Sequence, residues 1–144
     1  MKMALLEAKK ASKIDEVPVG AVIVKAGKVL ARAHNEKETK KDATKHAELI
    51  AIQKASKKLD NWHLDDCVLY VTLEPCAMCA GAIMQARIKK VVFGAFDPKG
   101  GSLESCFQLY NIKGFNHYPK VESGVLEEES VALLKDFFKA KRNV

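Results

Sequence analysis

The sequence predicts an α/β domain in which helices cover both faces of a central sheet, a three-layer α/β/α architecture. One observation is the length, because 144 residues match a single domain spanning 1–144 rather than two. Another is the composition, since 48% hydrophobic and 29% charged residues indicate a packed core and exclude a wholly disordered chain. Finally, short apolar strands alternate with helical segments. Such an order requires crossover connections, so most of the sheet is expected to be parallel.

The first half of the chain predicts a helix, a hairpin and a second helix. Apolar residues recur at helical spacing along 2–13, with lysines on the opposite face. Gly27 supplies the turn between two apolar strands, 21–24 and 29–33. The lysine-rich stretch 35–45 is expected to be a loop, and a broadly apolar helix follows over 46–59.

The second half predicts strands and helices in alternation. Runs of β-branched and apolar residues are typical of buried strands. The expected elements are strands over 67–72 and 90–95 with a helix over 76–87 between them, a loop at 97–101, a short helix over 103–109, a strand over 116–121, and a final helix over 127–141.

Charge and targeting signals narrow the class of partner and the compartment. Lys and Arg outnumber Asp and Glu by 24 to 18, and this excess of six positive charges is compatible with a polyanionic partner. The apolar stretches are far shorter than the roughly 20 residues that span a bilayer, and residues 1–14 lack the apolar block of a secretory signal. We therefore expect a cytoplasmic protein that does not enter a membrane.

A C-x-x-C motif opens the predicted helix over 76–87. Cys76 and Cys79 are three residues apart and so lie on one helical face, while Pro75 occupies a first-turn position where its missing N–H costs little. The positive end of the helix dipole favours the thiolate, the form that binds metal. By itself the motif also fits a redox pair or half of a structural zinc site. Cys67 and Cys106 are expected to be ordinary free thiols.

Among the four histidines, His46 is distinguished by its position. It begins a predicted helix, and the apolar residues three and four positions later direct its side chain to the interior. Glu48 has the same setting, so its carboxyl is expected to lie against an apolar wall, which raises its pKa toward the range useful for proton transfer. The other three histidines are expected to be hydrogen-bonded structural residues.

His46, Cys76 and Cys79 together would leave one tetrahedral position of a zinc ion open. An open position is typical of a catalytic rather than a structural zinc. Zinc lowers the pKa of water to about 7, and Glu48 is placed to accept the proton. The residues thus indicate metal-assisted hydrolysis.

The segments His46-Ala47-Glu48 and Pro75-Cys76-Ala77-Met78-Cys79 resemble the zinc-dependent nucleoside and nucleobase deaminases. Further segments are similar to the tRNA adenosine-34 deaminase branch, over about residues 3–142. They are Val17 to Val22, His34-Asn35, Tyr70 to Cys76, Met78 to Ala82, Arg87-Ile88 and Val91 to Ala95. The resemblance implies a cytidine-deaminase-like sandwich with a mixed five-stranded sheet, one Zn²⁺ per subunit, a homodimer, and a tRNA anticodon stem-loop as substrate.

The resemblance also implies roles for individual residues. His46, Cys76 and Cys79 would hold zinc, and Glu48 would move protons to the purine N1 and to departing ammonia. The substrate-binding residues that it implies are Asn35 for the purine ring, the N–H groups of Ala47 and Cys76 for the oxygen added at C6, Val19 and Leu73 beside the flipped base, Asp97 and Lys99 for the neighbouring nucleotides, and Asn116, His117 and Arg142 for more distant RNA.

Two places depart from the pattern of that branch. Phe96 stands where an acidic or basic residue is common, and Ser102 to Phe107 replaces the usual glycine-serine-leucine-methionine run. The departures concern the substrate side and leave the proposed metal ligands unchanged.

Two other functions remain open at the level of sequence. The same chemistry would serve a free base or nucleoside such as guanine, cytosine or cytidine, although the sequence leads us to expect no bulky aromatic C-terminal cap over the pocket. Alternatively, zinc would only staple a nucleic-acid-binding module without catalysis. A buried Glu48 argues against the staple, because a closed structural site has no need of a desolvated carboxylate.

Overall fold

Five strands form one sheet in the order β2-β1-β3-β4-β5 in the computed structural model, which describes residues 1–143. The strands are β1 (Gly20–Lys25), β2 (Lys28–His34), β3 (Cys67–Leu73), β4 (Lys90–Ala95) and β5 (Lys120–Glu122). The helices are α1 (Lys2–Lys13), α2 (Lys37–Lys40), α3 (Ala47–Leu59), α4 (Ala77–Gln85) and α5 (Glu127–Arg142), with a 3₁₀ turn at Leu109–Asn111. The mixed five-stranded α/β fold is as predicted.

The direction of the strands partly corrects the expectation of a mostly parallel sheet. β3 pairs in parallel with β4, and β4 with β5, but β1 is antiparallel to both β2 and β3. Four strands therefore run the same way, and β1 is inserted against them. Because β1 and β2 form a tight hairpin and β1 rather than β2 pairs with β3, half of the strand pairs are antiparallel.

Helices cover both faces of this sheet, as expected. α1 and α5 contact each other on one face, whereas α3 and α4 contact each other on the other. Successive side chains of β1 and β4 point to opposite faces of the sheet, toward one helix layer or the other. Ile23 and Phe93 belong to the main core with Ile50 of α3 and Ile83 of α4. No helix in residues 1–143 has the length and apolarity that a membrane crossing requires.

Gly20 lets α1 approach β1 closely. A Cβ at this position would overlap the main chain of Ala4 and Ala8, which has no freedom to move away inside a helix. We expect Gly20→Ala to lower the free energy of unfolding by about 3 kcal/mol or more, as forced overpacking does. Gly81→Ala is the matched control because a Cβ there meets no atom of the chain within 4 Å. Urea denaturation of both variants checks this, and equal stabilities would contradict it.

Three loop regions differ from the expected elements. The stretch 35–45 contains the short helix α2, and β5 is shorter and later than the predicted strand over 116–121. The helix expected over 103–109 is wrong. The Cys106 N–H donates to the carbonyl of Gly101 and the Leu109 N–H to that of Ser102, so these amides are not in an α-helical ladder.

Candidate metal centre and active site

The functional side chains meet at one edge of the sheet. The carboxyl ends of β2, β3 and β4 lie there because these strands share one direction, and the start of β1 lies beside them. A cavity of about 780 Å³ opens at this edge. Seven of the predicted site residues line it, namely Val19, Asn35, His46, Glu48, Leu73, Cys76 and Asp97.

His46 and Cys76 occupy equivalent positions at two helix starts. His46 is the N-cap residue of α3, and Cys76 is the N-cap residue of α4, both with extended backbone. Cys79 follows within the first turn of α4 and is fully buried. Both helices thus direct their N-termini, and the partial positive charge of the helix dipole, toward one point.

The ligand atoms of His46, Cys76 and Cys79 have the spacing that zinc requires. The imidazole Nδ1 lies 3.6 Å from Sγ of Cys76 and 3.5 Å from Sγ of Cys79, and all three atoms fall within 4.8 Å of one another. Tetrahedral zinc with ordinary Zn–N and Zn–S bond lengths holds such atoms about 3.6 Å apart. Within residues 1–143 this is the single His, Cys and carboxylate cluster with metal-binding spacing.

The Cys76 sulfur has the character of a thiolate. A hydrogen bond from Cys79 and another from His46 lower the pKa of Cys76 to about 4 despite its partial burial. The same Cys76 interaction, together with burial, raises the pKa of Cys79. The cluster therefore presents at least one anionic sulfur, the form of cysteine that binds metal ions.

Glu48 lies beside this cluster in the first turn of α3, two residues after His46, and its side chain is 4% exposed. Burial raises the pKa of its carboxyl to about 7, although the neighbouring His46 acts in the opposite direction. Near neutral pH the group is therefore poised to hold or release a proton. Its position in the cavity wall is the one that the sequence pattern predicts.

Asn35 and Ala47 form one hydrogen-bonded unit. The N–H of Ala47 donates to Oδ1 of Asn35 at 2.8 Å, which joins the end of β2 to the start of α3. The predicted contact of this N–H with the oxygen added to the purine would require Asn35 to release it. Both substrate assignments stay predictions.

The remaining predicted RNA contacts fall in two places. Lys99 and Arg142 line a second groove of about 720 Å³, which shares Leu73 and Asp97 with the main cavity. His117 instead bonds the carbonyl of Ile88, just before β4 begins, at 2.7 Å. His117 and its exposed neighbour Asn116 therefore lie at the opposite end of the sheet from the metal centre.

Two aromatic side chains and two buried acids complete the surroundings of the cavity, and the sequence interpretation gave no role to the two acids. Phe137 and Phe138 of the C-terminal helix α5 line the cavity, which corrects the expectation that the C-terminal part of the chain brings no bulky aromatic side chain to the pocket. Glu16 is 1% exposed, and its carboxylate accepts hydrogen bonds from the N–H of Glu38 and from the N–H and hydroxyl of Thr39. The sequence signal for a buried Glu16 is its position directly before the apolar run that leads into β1.

Glu16 and a second buried acid, Glu74, are expected to make stability fall in acid. Burial alone raises the pKa of Glu16, but bonds from Thr39 and Glu38 outweigh it, so the folded pKa lies below the usual 4.5; Glu74 behaves likewise through Ser105 and its neighbours. A depressed folded pKa contributes stability that is complete above the unfolded pKa and is lost as pH falls through the folded value. The Glu16→Gln variant should be less stable than the wild type at pH 7, and its stability should change less than that of the wild type as the pH falls below 4.5.

Urea midpoints measured from pH 7 down to pH 3 test this acid dependence. Glu128→Gln is the control, since its carboxylate is exposed in the first turn of α5 and accepts no such bonds. Parallel curves for the wild type and Glu16→Gln would contradict the assignment.

The other histidines and cysteines lie outside the metal centre. His34 shares a hydrogen bond with Glu7, and His63 stacks on Trp62. Cys67 is buried in the core, and Cys106 is exposed. The hydrogen bond of His34 is of the kind expected, whereas the side chain of His63 stacks on an aromatic ring instead.

Comparison with known proteins places this site in a family. The profile of the MafB19-like deaminases matches residues 1–142. The tRNA-specific adenosine deaminase of Bacillus subtilis is 52% identical over 142 residues, covering 99% of this chain and 88% of that protein. A solved structure from a study of A-to-I editing by tRNA wobble-position deaminases superposes with a TM-score of 0.91 at 46% identity, covering 93% of this chain and 97% of that one.

A more distant likeness is to a guanine deaminase. The guanine deaminase structure from Bacillus subtilis has 34% identity and a TM-score of 0.64, covering 99% of this chain and 91% of that one. Identity to the tRNA-specific enzyme of the same organism is higher, at 52%. The chain therefore belongs to the MafB19-like deaminase family, as a member of its tRNA-specific adenosine deaminase group.

Proposed function

We propose that this protein hydrolyses adenosine to inosine at the wobble position, 34, of a tRNA anticodon and releases ammonia in a zinc-dependent reaction. The observation that carries the proposal is the His46, Cys76 and Cys79 cluster beside a buried Glu48 at the wall of a cavity open to solvent. The names of the relatives agree with the substrate class.

The three clustered residues would hold one zinc ion per chain. Their donor set and the 3.5 and 3.6 Å spacings fit zinc, whereas a redox pair would not need an imidazole 3.5 Å from Cys79. When bound, zinc supplies a strong nucleophile from water near neutral pH. Because Cys79 is buried and Cys76 faces the cavity, the open side of the cluster is the side from which a base would arrive.

Glu48 would carry the protons of the reaction. Its carboxylate takes one proton from the attacking water, and the resulting carboxylic acid gives it to the purine N1. A second proton passes from the new C6 hydroxyl to the amino nitrogen, which leaves as ammonia, so that adenosine and water become inosine and ammonia. The buried setting suits this work because a pKa of about 7 lets the carboxyl group both accept and release a proton near neutral pH.

The cavity edge would hold the flipped adenine. Val19 and Leu73 lie on the cavity wall with the Asn35 side chain between β2 and α3. An anticodon loop presents unpaired bases, which lowers the cost of turning one out of the stack. Asp97, Lys99 and Arg142 lie where the neighbouring nucleotides would pass, and Asn116 and His117 would be reached only by RNA farther from the target base.

We further propose that the protein acts in the cytoplasm as a homodimer. Exposed apolar side chains on α4 and on the segment that packs beside it, Met78, Phe107 and Ile112, offer a surface that a second copy would bury. The proposed tRNA substrate is found in that compartment.

A substrate comparison tests the function. Zinc-loaded protein is incubated with an anticodon stem-loop carrying adenosine at 34, with the same stem-loop carrying adenosine one position away, and with free guanine, cytidine and adenosine. We expect inosine only in the first RNA and no ammonia from the free compounds. Ammonia from guanine or cytidine with no inosine in RNA would instead establish a free-base deaminase.

A further inference from the structure

Glu74 is a buried carboxylate that takes no part in the proposed proton transfers. It follows β3 and directly precedes Pro75 and Cys76, and it is 2% exposed. A buried carboxylate is stable only when its oxygens accept enough hydrogen bonds. The partners of Glu74 therefore indicate its role.

Every side-chain partner of Glu74 belongs to the segment 97–105. Oε1 accepts the N–H of Asp97 at 3.1 Å and the hydroxyl of Ser105. Oε2 accepts three consecutive N–H groups, those of Leu103, Glu104 and Ser105, at 3.2, 2.8 and 2.9 Å. Five donors from one segment converge on one carboxylate, which acts as the core around which 97–105 folds.

Close packing over the carboxylate supports this reading. A Cβ at position 101 would overlap the carboxyl group of Glu74, so Gly101 allows the chain to pass directly across it. This contact gives a local physical reason for glycine at 101.

Main-chain bonds tie the same segment to the turn that carries Cys76. The Ser102 N–H donates to the carbonyl of Pro75 at 2.9 Å, and the Glu74 N–H donates to the carbonyl of Ala95 at 2.8 Å. One end of the segment bears Asp97, whose carboxylate accepts the Lys99 N–H at 3.0 Å. The metal-binding turn and the loop with Asp97 and Lys99 are thus held in one hydrogen-bonded unit centred on Glu74.

We propose that Glu74 is a positioning residue for substrate binding, whose carboxylate fixes 97–105 so that Asp97 and Lys99 face the RNA beside the target base. The inference rests on the proposed function, because it needs an RNA on this loop. Glu74 thus holds the RNA-facing loop in its shape, while Glu48 and the metal ligands carry out the chemistry.

Two variants with a matched control test the inference. Glu74→Gln turns an NH₂ group toward N–H donors, and Ser105→Ala removes only the hydroxyl donor and is the milder change. For the anticodon stem-loop we expect KM to rise about tenfold or more in Glu74→Gln, in line with a lost charge-assisted bond network. We expect kcat per bound zinc to stay within about threefold, because no reacting atom is touched. Glu104→Gln is the control, since Glu104 contacts the Glu74 carboxylate through its main-chain N–H and not through its side chain.

A purely structural role would give a different result. Partial unfolding lowers the amount of active, zinc-loaded protein and leaves KM unchanged, so that result in both variants would overturn the inference. Ser105→Ala should raise KM, whereas Ser105→Thr, which keeps the hydroxyl, should have the KM of the wild type.

Binding without turnover separates this inference from the proposed function. The dissociation constant of the stem-loop is measured by fluorescence anisotropy with zinc-loaded Glu48→Gln protein, alone and combined with Glu74→Gln. A weaker complex in the double variant supports the positioning role even if the wild type makes no inosine. Equal affinities, or no binding of RNA by either protein, would refute it.

Discussion

Replacing Glu48 by glutamine is expected to lower kcat for inosine formation by about 10²- to 10⁴-fold, the usual contribution of a positioned general acid/base. Glutamine keeps the shape of the side chain but cannot exchange a proton with water, with N1 or with the leaving amine. The three proposed zinc ligands are unchanged, so one zinc per chain should remain. Metal analysis of the purified variant and single-turnover kinetics measure the two effects.

Glu38→Gln is the matched control for this loss. Glu38 lines the same cavity but is exposed, and its substitution removes a comparable charge from the site without touching the buried acid. It should retain kcat within a few fold. A Glu48→Gln protein that still forms inosine at the wild-type rate would show that another group moves the protons.

Cys79→Ser is expected to weaken zinc binding by more than about a hundredfold. Losing a residue that only hydrogen-bonds a metal ligand already weakens metal binding by up to about a hundredfold, and Cys79 is a proposed ligand itself. A serine hydroxyl stays protonated near neutral pH and is a poor zinc ligand, and the fully buried position of Cys79 shields it from solvent. Inosine formation should fall with zinc occupancy, and thermal stability should fall too because the metal no longer stabilises the folded state.

Cys106→Ser provides the control for the same chemical change. Cys106 is an exposed free thiol outside the metal centre, so zinc content and turnover should match those of the wild type. Competition with a chromophoric chelator measures both affinities. Equal zinc affinity in Cys79→Ser and Cys106→Ser would remove Cys79 from the ligand set.

The two halves of the candidate metal site were predictable from sequence because the geometry within each half is local. Cys76 and Cys79 share one turn of α4, and His46 and Glu48 share the first turn of α3. Helical periodicity and the signals of a helix start therefore place each pair correctly. That the two helix starts face each other follows from the common direction of β2, β3 and β4, which an alternation of strands and helices also indicates.

Features that depend on contacts between distant parts of the chain cannot be predicted from local sequence patterns. Nothing local tells β1 to pair with β3 in the antiparallel direction, and this insertion changes half of the strand pairs. The shape of 97–105 depends on Glu74, about 30 residues earlier, so the local pattern wrongly favoured a helix over 103–109. The burial of Glu16 depends in the same way on bonds from Glu38 and Thr39, 22 and 23 residues later.

Reversible dependence of wobble-position inosine on zinc is the most direct test of the proposed chemistry. Metal-free protein, prepared with a chelator, is assayed on the adenosine-34 stem-loop before and after one equivalent of zinc is returned. We predict no inosine without metal and full recovery at one zinc per chain, with the Cys79→Ser protein failing to recover. Undiminished inosine formation by the metal-free protein would contradict a zinc-dependent hydrolysis at His46, Cys76 and Cys79.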